Sequence, residues 1–374
     1  MQSAAGIQDL RKGEEGQMTS RRNFVEGLAV AGGAFALGAG CATSRSEVPL
    51  GRELGPIITD WTVRSHQTLS GKKASFFIDD TIWVLRDMTR TRPKSAFDTP
   101  MLKMLKEAHD RYGVKLQMNL FYRTDYFYGT DEFTLADVTD AYRGEFEAAA
   151  DWLRFGLHAL QEFPDYPFVN QEYADLRFVA DRTYGEVRRF AGERSCAYAF
   201  EPHWSPINED GCRAVRDSGV KLLSVTHGRR YEYTDASQLP YGHGMRVENN
   251  RKPDTALFRR GYRTLDASIC GYNHLTWEQY NATTGRFKAV YDRKTGLLYK
   301  KFCNTIFLNQ YGLDEIEGEL SRQTDKEHVV FADHEQYFYR DYLAYQPDYA
   351  EKIFRAAGFL RGRGYEFIFI EDTI

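Results

Sequence analysis

The sequence is short of several features, and each shortage excludes a class of protein. It has only five cysteines and no Cys-x-x-Cys pair, which argues against a structural zinc cluster. Lysine and arginine are scattered without a block, and the formal net charge is −4, so no nucleic-acid partner is expected. No apolar run reaches the roughly 20 residues that a bilayer-spanning helix needs. Internal repeats and low-complexity tracts are missing too, which leaves out solenoids and repeat arrays. What is present suits a globular protein: hydrophobic residues make up 42% of the chain and charged residues 27%. Aromatics are abundant, with 24 Tyr and 25 Phe. Many must be core, but tyrosine-rich loops also suit the C–H faces of sugar rings.

The N-terminal segment predicts export. Ser20-Arg21-Arg22-Asn23-Phe24-Val25 is a polar stretch with paired arginines, followed by a short Ala/Gly-rich apolar segment over 28–37. That pattern is similar to a twin-arginine signal, so the export machinery is an expected partner and the expected location is the periplasm or cell surface. Met18 offers an alternative start just ahead of it. Leu37-Gly38-Ala39-Gly40-Cys41 resembles a lipoprotein cleavage box with its leucine one place too far away. Lipidation at Cys41 would give a membrane contact through a lipid anchor only; cleavage after Ala42 is the competing outcome. Residues 1–41 are therefore read as the signal and 42–72 as a polar tether. After export Cys196, Cys212, Cys270 and Cys303 could form disulfides, with no pairing legible from spacing.

Residues 73–374 alternate short apolar runs with helical patterns, which predicts an α/β domain with a parallel sheet. Expected strands cover 74–78, 114–120, 152–157, 196–200, 220–225, 328–331 and 365–370. Expected helices cover 100–112, 136–150, 173–190, 208–218 and 349–361. Residues 228–326 lose the rhythm and read as a large loop insertion. Its Tyr241-Gly242-His243-Gly244 and Cys270-Gly271-Tyr272-Asn273-His274 suggest tight loops over a site, or a surface excursion without a ligand role.

Chemistry in such folds gathers at the carboxyl ends of parallel strands. Those ends carry Asp79-Asp80, Tyr122-Arg123, His158, Glu201-Pro202-His203, His227, Asp333-His334 and Glu371-Asp372. Adjacent carboxylates at 79 and 80 allow one to bind a metal while the other takes a proton, although a turn or helix cap would use the same pair. If the chain turns helical after Gly156-Leu157-His158, then His158 and Glu162 share a face at i,i+4 and can share a cation or a hydrogen bond. His334 ends a buried strand and titrates near neutrality, which suits proton donation as well as a structural role.

In this order the motifs resemble those of the polysaccharide deacetylases, the NodB-like carbohydrate esterases. Phe77-Ile78-Asp79-Asp80 matches the first family motif, Gly156-Leu157-His158 through Glu162 the second, Phe200-Glu201-Pro202-His203-Trp204 the third, and Phe331 to His334 the last. The resemblance covers about 74–227 and 328–374. It implies an irregular (β/α) barrel of the polysaccharide-deacetylase type and a metal-dependent hydrolase that removes an acyl group from a carbohydrate. It implies Asp79 as catalytic base and His334 as catalytic acid, with Asp80, His158 and Glu162 as metal ligands. The chain departs from the pattern where Glu162 replaces the second ligand histidine and Glu201 replaces an arginine. It also has no counterpart of an Asp-Trp segment. Arg123 or Arg86 is expected to reach Glu201 or Asp79 in compensation, and His203, beside Trp204, to supply a nitrogen ligand. Two carboxylates with one imidazole make a hard site, so Mn, Co and Fe join Zn as candidate divalent ions. A glycosidase or lyase using Glu201, Asp79 and Glu371 is the alternative enzyme, and a non-catalytic glycan-binding lipoprotein is the alternative outside enzymes.

Overall fold

The strand Lys73–Thr81 (β1) organises the molecule, and its nine residues are almost wholly buried. The computed structural model describes residues 52–124, 132–162, 166–169, 171–228, 230–232, 271–302, 306–342 and 344–374. The export signal with Arg21-Arg22, the lipidation site Cys41, and the residues Tyr241, His243, Cys270 and Cys303 lie outside the described residues.

Further parallel strands are Leu116–Phe121 (β2), Leu153–Ala159 (β3), Ala199–Phe200 (β4), Leu222–Ser224 (β5), Leu298–Lys300 (β6), Ile306–Phe307 (β7), His328–His334 (β8) and Glu366–Phe367 (β9). One sheet runs β7-β8-β1-β2-β3, all parallel, and a second runs β4-β5-β6 in parallel and continues antiparallel through Lys288–Asp292 to Trp61–Ser65. A bridge between Phe155 and Cys196 joins β3 to the segment leading into β4. The strand β9 pairs beside the first residues of β1. Phe77, Ala199, Leu222, Phe302, Val330, Ala332 and Ile370 come from both sheets and meet in one small apolar cluster. The sheets therefore curl around a filled interior, while Phe76 and Ile78, on the opposite face of β1, join the larger core under the helices. Each such buried side chain contributes about 1.5–3 kcal/mol. The α/β fold is the expected one.

Two of the longest helices form where the apolar spacing put them. Pro100–Tyr112 begins on proline, buries Met101, Leu102, Met104, Leu105 and Ala108, and ends at Gly113 with φ 71°. Tyr173–Phe190 has the predicted bounds. No described helix is long and apolar enough to cross a membrane.

Three expectations need correction. The helix expected over 136–150 is a 3₁₀ turn, Leu135–Asp137, and a separate helix, Arg143–Ala149. Thr134 and Asp137 cap the start of that turn, Asp137 accepting the Thr134 backbone N–H and hydroxyl, and the chain leaves it in extended conformation at Val138. The tether 42–72 is part of the fold at its C-terminal end: Trp61–Ser65 pairs antiparallel with Lys288–Asp292, and Ile58 is fully buried. The stretch 228–326 also supplies β6 and β7 to the sheets, so it is not wholly an insertion.

Candidate metal centre

The carboxyl ends of β1, β3, β4 and β8 converge on one buried polar cluster. Two irregularities build it. Ile78 pairs with Met118 and Thr81 with Leu120, so β1 carries one extra residue at Asp79-Asp80. Leu120 pairs with Leu157 and Phe121 with Ala159, so β3 carries one extra residue at His158. Such bulges turn a side chain away from the alternation a regular strand imposes. Asp80 also has φ 60°, a left-handed backbone that costs a non-glycine residue about 1–2 kcal/mol. Glu335 holds this bend from the far side. Its Oε2 accepts the N–H groups of Ile82 and Trp83 at 2.8 and 2.7 Å, and its Oε1 that of Val84 at 2.7 Å. These are free amides at the start of the helix Trp83–Thr91.

Three donor atoms form a near-equilateral triangle. His158 Nε2 lies 3.1 Å from Asp80 Oδ1, His203 Nδ1 lies 3.3 Å from that same oxygen, and the two nitrogens stand 3.0 Å apart. The other nitrogen of each ring donates to a main-chain carbonyl: His158 Nδ1 to Glu201 at 2.8 Å and His203 Nε2 to Glu162 at 2.9 Å. Those bonds select the tautomers and turn the remaining lone pairs toward Asp80. All three residues are buried, with Phe121 against both rings at 5.1 and 5.4 Å and Trp204 edge-on to His203 at 5.7 Å. Donors about 2.0–2.1 Å from a tetrahedral cation stand roughly 3.3 Å from one another. The donor set and its spacing therefore fit a divalent ion, and a buried Asp-His-His group able to hold one is present.

The expected ligand set was Asp80, His158 and Glu162. The converging group contains His203 where Glu162 was expected. Residues 160–162, the described residues that follow β3, are not helical, so His158 and Glu162 share no helix face. Glu162 Oε2 instead accepts the Gln336 side-chain amide at 3.2 Å, and the same nitrogen donates to Asp80 Oδ2 at 2.9 Å.

Asp79 is buried beside this group and accepts the Asn119 amide on Oδ1 at 2.6 Å. Burial, with Glu201 and Asp80 close by, holds its carboxyl well above the usual range, against the pull of Asn119 and Lys301. For Asp80, burial is outweighed by His158, His203 and the charge of His334, which hold it well below that range. Burial pushes His158 down to about 4. For His203, Asp80 and Glu162 overcome burial and raise it. His334 pairs in register with Asp79, places Nδ1 3.1 Å from Asn309 Oδ1, and is lowered by burial against the pull of Asp80.

Glu201 is buried, and burial raises its carboxyl, relieved by Lys301 and by Ser224. The expected arginine partners are engaged elsewhere: Arg123 Nε donates to Gln161 at 2.6 Å and Arg86 Nε to Asp87 at 3.1 Å. Lys301 supplies the positive charge felt by both Asp79 and Glu201. Glu371 belongs to the other end of the sheet, where it binds Arg154 and the Tyr198 N–H. Sequence reasoning missed Asn119, Lys301, Glu335 and Gln336. Only Asn119 left a trace, as a polar residue inside the apolar run of β2.

The sequence matches no family model and no curated protein. Among solved structures, the chain is similar to a 4-alpha-glucanotransferase from Thermococcus litoralis at 9% identity and TM-score 0.44. That match covers 82% of this chain and 40% of the other, so the chain spans less than half of that enzyme. It is also similar to a protein from Mycobacterium smegmatis assigned as a polysaccharide deacetylase, at 12% identity and TM-score 0.35, covering 80% of this chain and 85% of that one. Likeness at this level bears no weight on activity, which rests on the geometry.

Proposed function

We propose that the protein is an exported metal-dependent hydrolase that removes an acyl group, such as acetyl, from a carbohydrate. The observation that carries this reading is the Asp80, His158 and His203 triangle with a second buried carboxylate, Asp79, beside it. A divalent cation held by the three residues would polarise an acyl carbonyl and acidify a water molecule. Asp79 is the proton acceptor. Asn119 fixes its Oδ1, which leaves Oδ2 for the proton. His334 donates through Nδ1 to Asn309, so Nε2 is the nitrogen that exchanges a proton with the leaving group. Phe121 and Trp204 keep the imidazoles in an apolar wall, which strengthens each electrostatic contact. Export by the twin-arginine route, with Cys41 as an anchor, belongs to the same reading and rests on Arg21-Arg22 and the apolar segment after them.

Asp79 and Glu201 are also two buried carboxylates in mutual range, which favours a glycosidase as the second reading. One assay separates the two. The zinc-loaded protein is incubated with acetylated chitooligosaccharides and acetylated xylan, and acetate and chain length are measured together. Acetate release at unchanged chain length is expected. Chain cleavage or transfer without acetate would replace the deacylase with the second reading.

A further inference from the structure

Gln336 is a neutral side chain placed between two buried carboxylates, Asp80 and Glu162. It is buried on the 3₁₀ turn Glu335–Phe338 that follows β8, and its neighbour Glu335 anchors that turn to the backbone at 82–84. Its Nε2 carries two hydrogens and has two acceptors in reach, Asp80 Oδ2 at 2.9 Å and Glu162 Oε2 at 3.2 Å. The amide orientation follows from chemistry, since its oxygen would repel both carboxylates.

With Oδ2 taken, Asp80 offers only Oδ1 to the triangle it forms with the two imidazoles. Glu162 is held behind the same amide, and its main-chain carbonyl fixes His203. From this we infer that Gln336 determines metal selectivity: it holds Asp80 to one ligand oxygen and keeps Glu162 out of the shell, preserving a nitrogen-rich site. Nitrogen-rich, low-coordinate sites favour Zn²⁺ and Co²⁺, whereas carboxylate-rich sites favour Mn²⁺. Without the amide, Asp80 Oδ2 and Glu162 Oε2 lose the donor they share. Two buried carboxylate oxygens would then turn toward the cation. Gln336 is thus a positioning residue, acting on the ligands and not on the substrate. The inference rests on the metal-centre reading above.

The test uses the full chain, stripped with chelator and titrated calorimetrically with ZnCl₂ and MnCl₂. Wild type should bind one Zn²⁺ far more tightly than Mn²⁺. Gln336→Met, close in length and without a donor, should shrink that preference at least tenfold, and adding Glu162→Gln should restore it. Glu162→Gln alone should leave the preference within about threefold, a comparison that stands even where Gln336→Met folds poorly. An unchanged preference in Gln336→Met, or loss of Zn²⁺ binding in Glu162→Gln alone, overturns the selector role while the metal centre survives. Wild type that binds neither ion overturns the metal centre, and the inference falls with it.

Discussion

His203 Nδ1 stands 3.0 Å from His158 Nε2, with the rings nearly edge to face at 74°. Each ring donates its other N–H to a carbonyl, so the facing nitrogens need a proton or a cation between them and Asp80. The two are in competition. His203→Ala should weaken Zn²⁺ binding by at least about 100-fold, the upper range for losing even an indirect partner of a metal site. Titration calorimetry measures this, and a variant that keeps wild-type affinity would remove His203 from the ligand set.

Asp79→Asn tests the base separately from the metal. Asparagine keeps the shape and an oxygen for Asn119, but cannot take a proton. Deacylation should fall by about 10²–10⁴-fold, with Zn²⁺ affinity within a few-fold of wild type. Full acetate release by this variant would move the base elsewhere.

The bend at Asp80 should depend on Glu335. Truncation to alanine leaves three buried N–H groups without their acceptor, at about 1–3 kcal/mol for each donor that water cannot reach. Glu335→Ala should therefore lose several kcal/mol in denaturant unfolding, and Glu335→Gln less, because it retains one acceptor oxygen. A loss under about 0.5 kcal/mol in the alanine variant would show that the backbone at 82–84 holds itself.

At the opposite end of the sheet, Lys300 sits fully buried, with Nζ 2.5 Å from the Arg286 carbonyl and 3.1 Å from His328 Nδ1. Burial pushes its ammonium from 10.5 down to about 7. Between those values the unfolded chain binds a proton that the folded chain does not, so stability rises as pH climbs from about 7 toward 10. Below pH 7 both states carry the proton and this gain is absent. The urea midpoint should increase between pH 7 and 9 in wild type, and Lys300→Met should flatten the rise. Equal slopes in the two proteins would contradict the assignment.

Much of the fold was legible because it follows from periodicity. Met101, Leu102, Leu105 and Ala108 at helical spacing, and the apolar runs ahead of Asp79 and His334, mark elements that local pattern controls. Asp80 and His158 were legible as strand-end residues, but the bulges that aim them were not, because register depends on the partner strand. His203 was visible only as a substitute ligand. The converging group has it in place of Glu162, whose carboxylate is bound by Gln336, more than 130 positions beyond His203. Lys301 is also remote in sequence from the carboxylates whose field it offsets. The pairing of Trp61–Ser65 with Lys288–Asp292 is a long-range contact that a polar, exposed strand does not announce.

The central claim is that Asp80, His158 and His203 hold a catalytic divalent cation. Anomalous diffraction from crystals of the zinc-loaded protein, recorded on both sides of the zinc edge, tests it most directly. The account predicts one strong peak bounded by Asp80 Oδ1, His158 Nε2 and His203 Nδ1, with Glu162 outside the ligand shell. A peak at another position, direct ligation by Glu162, or no peak at full zinc loading would contradict it.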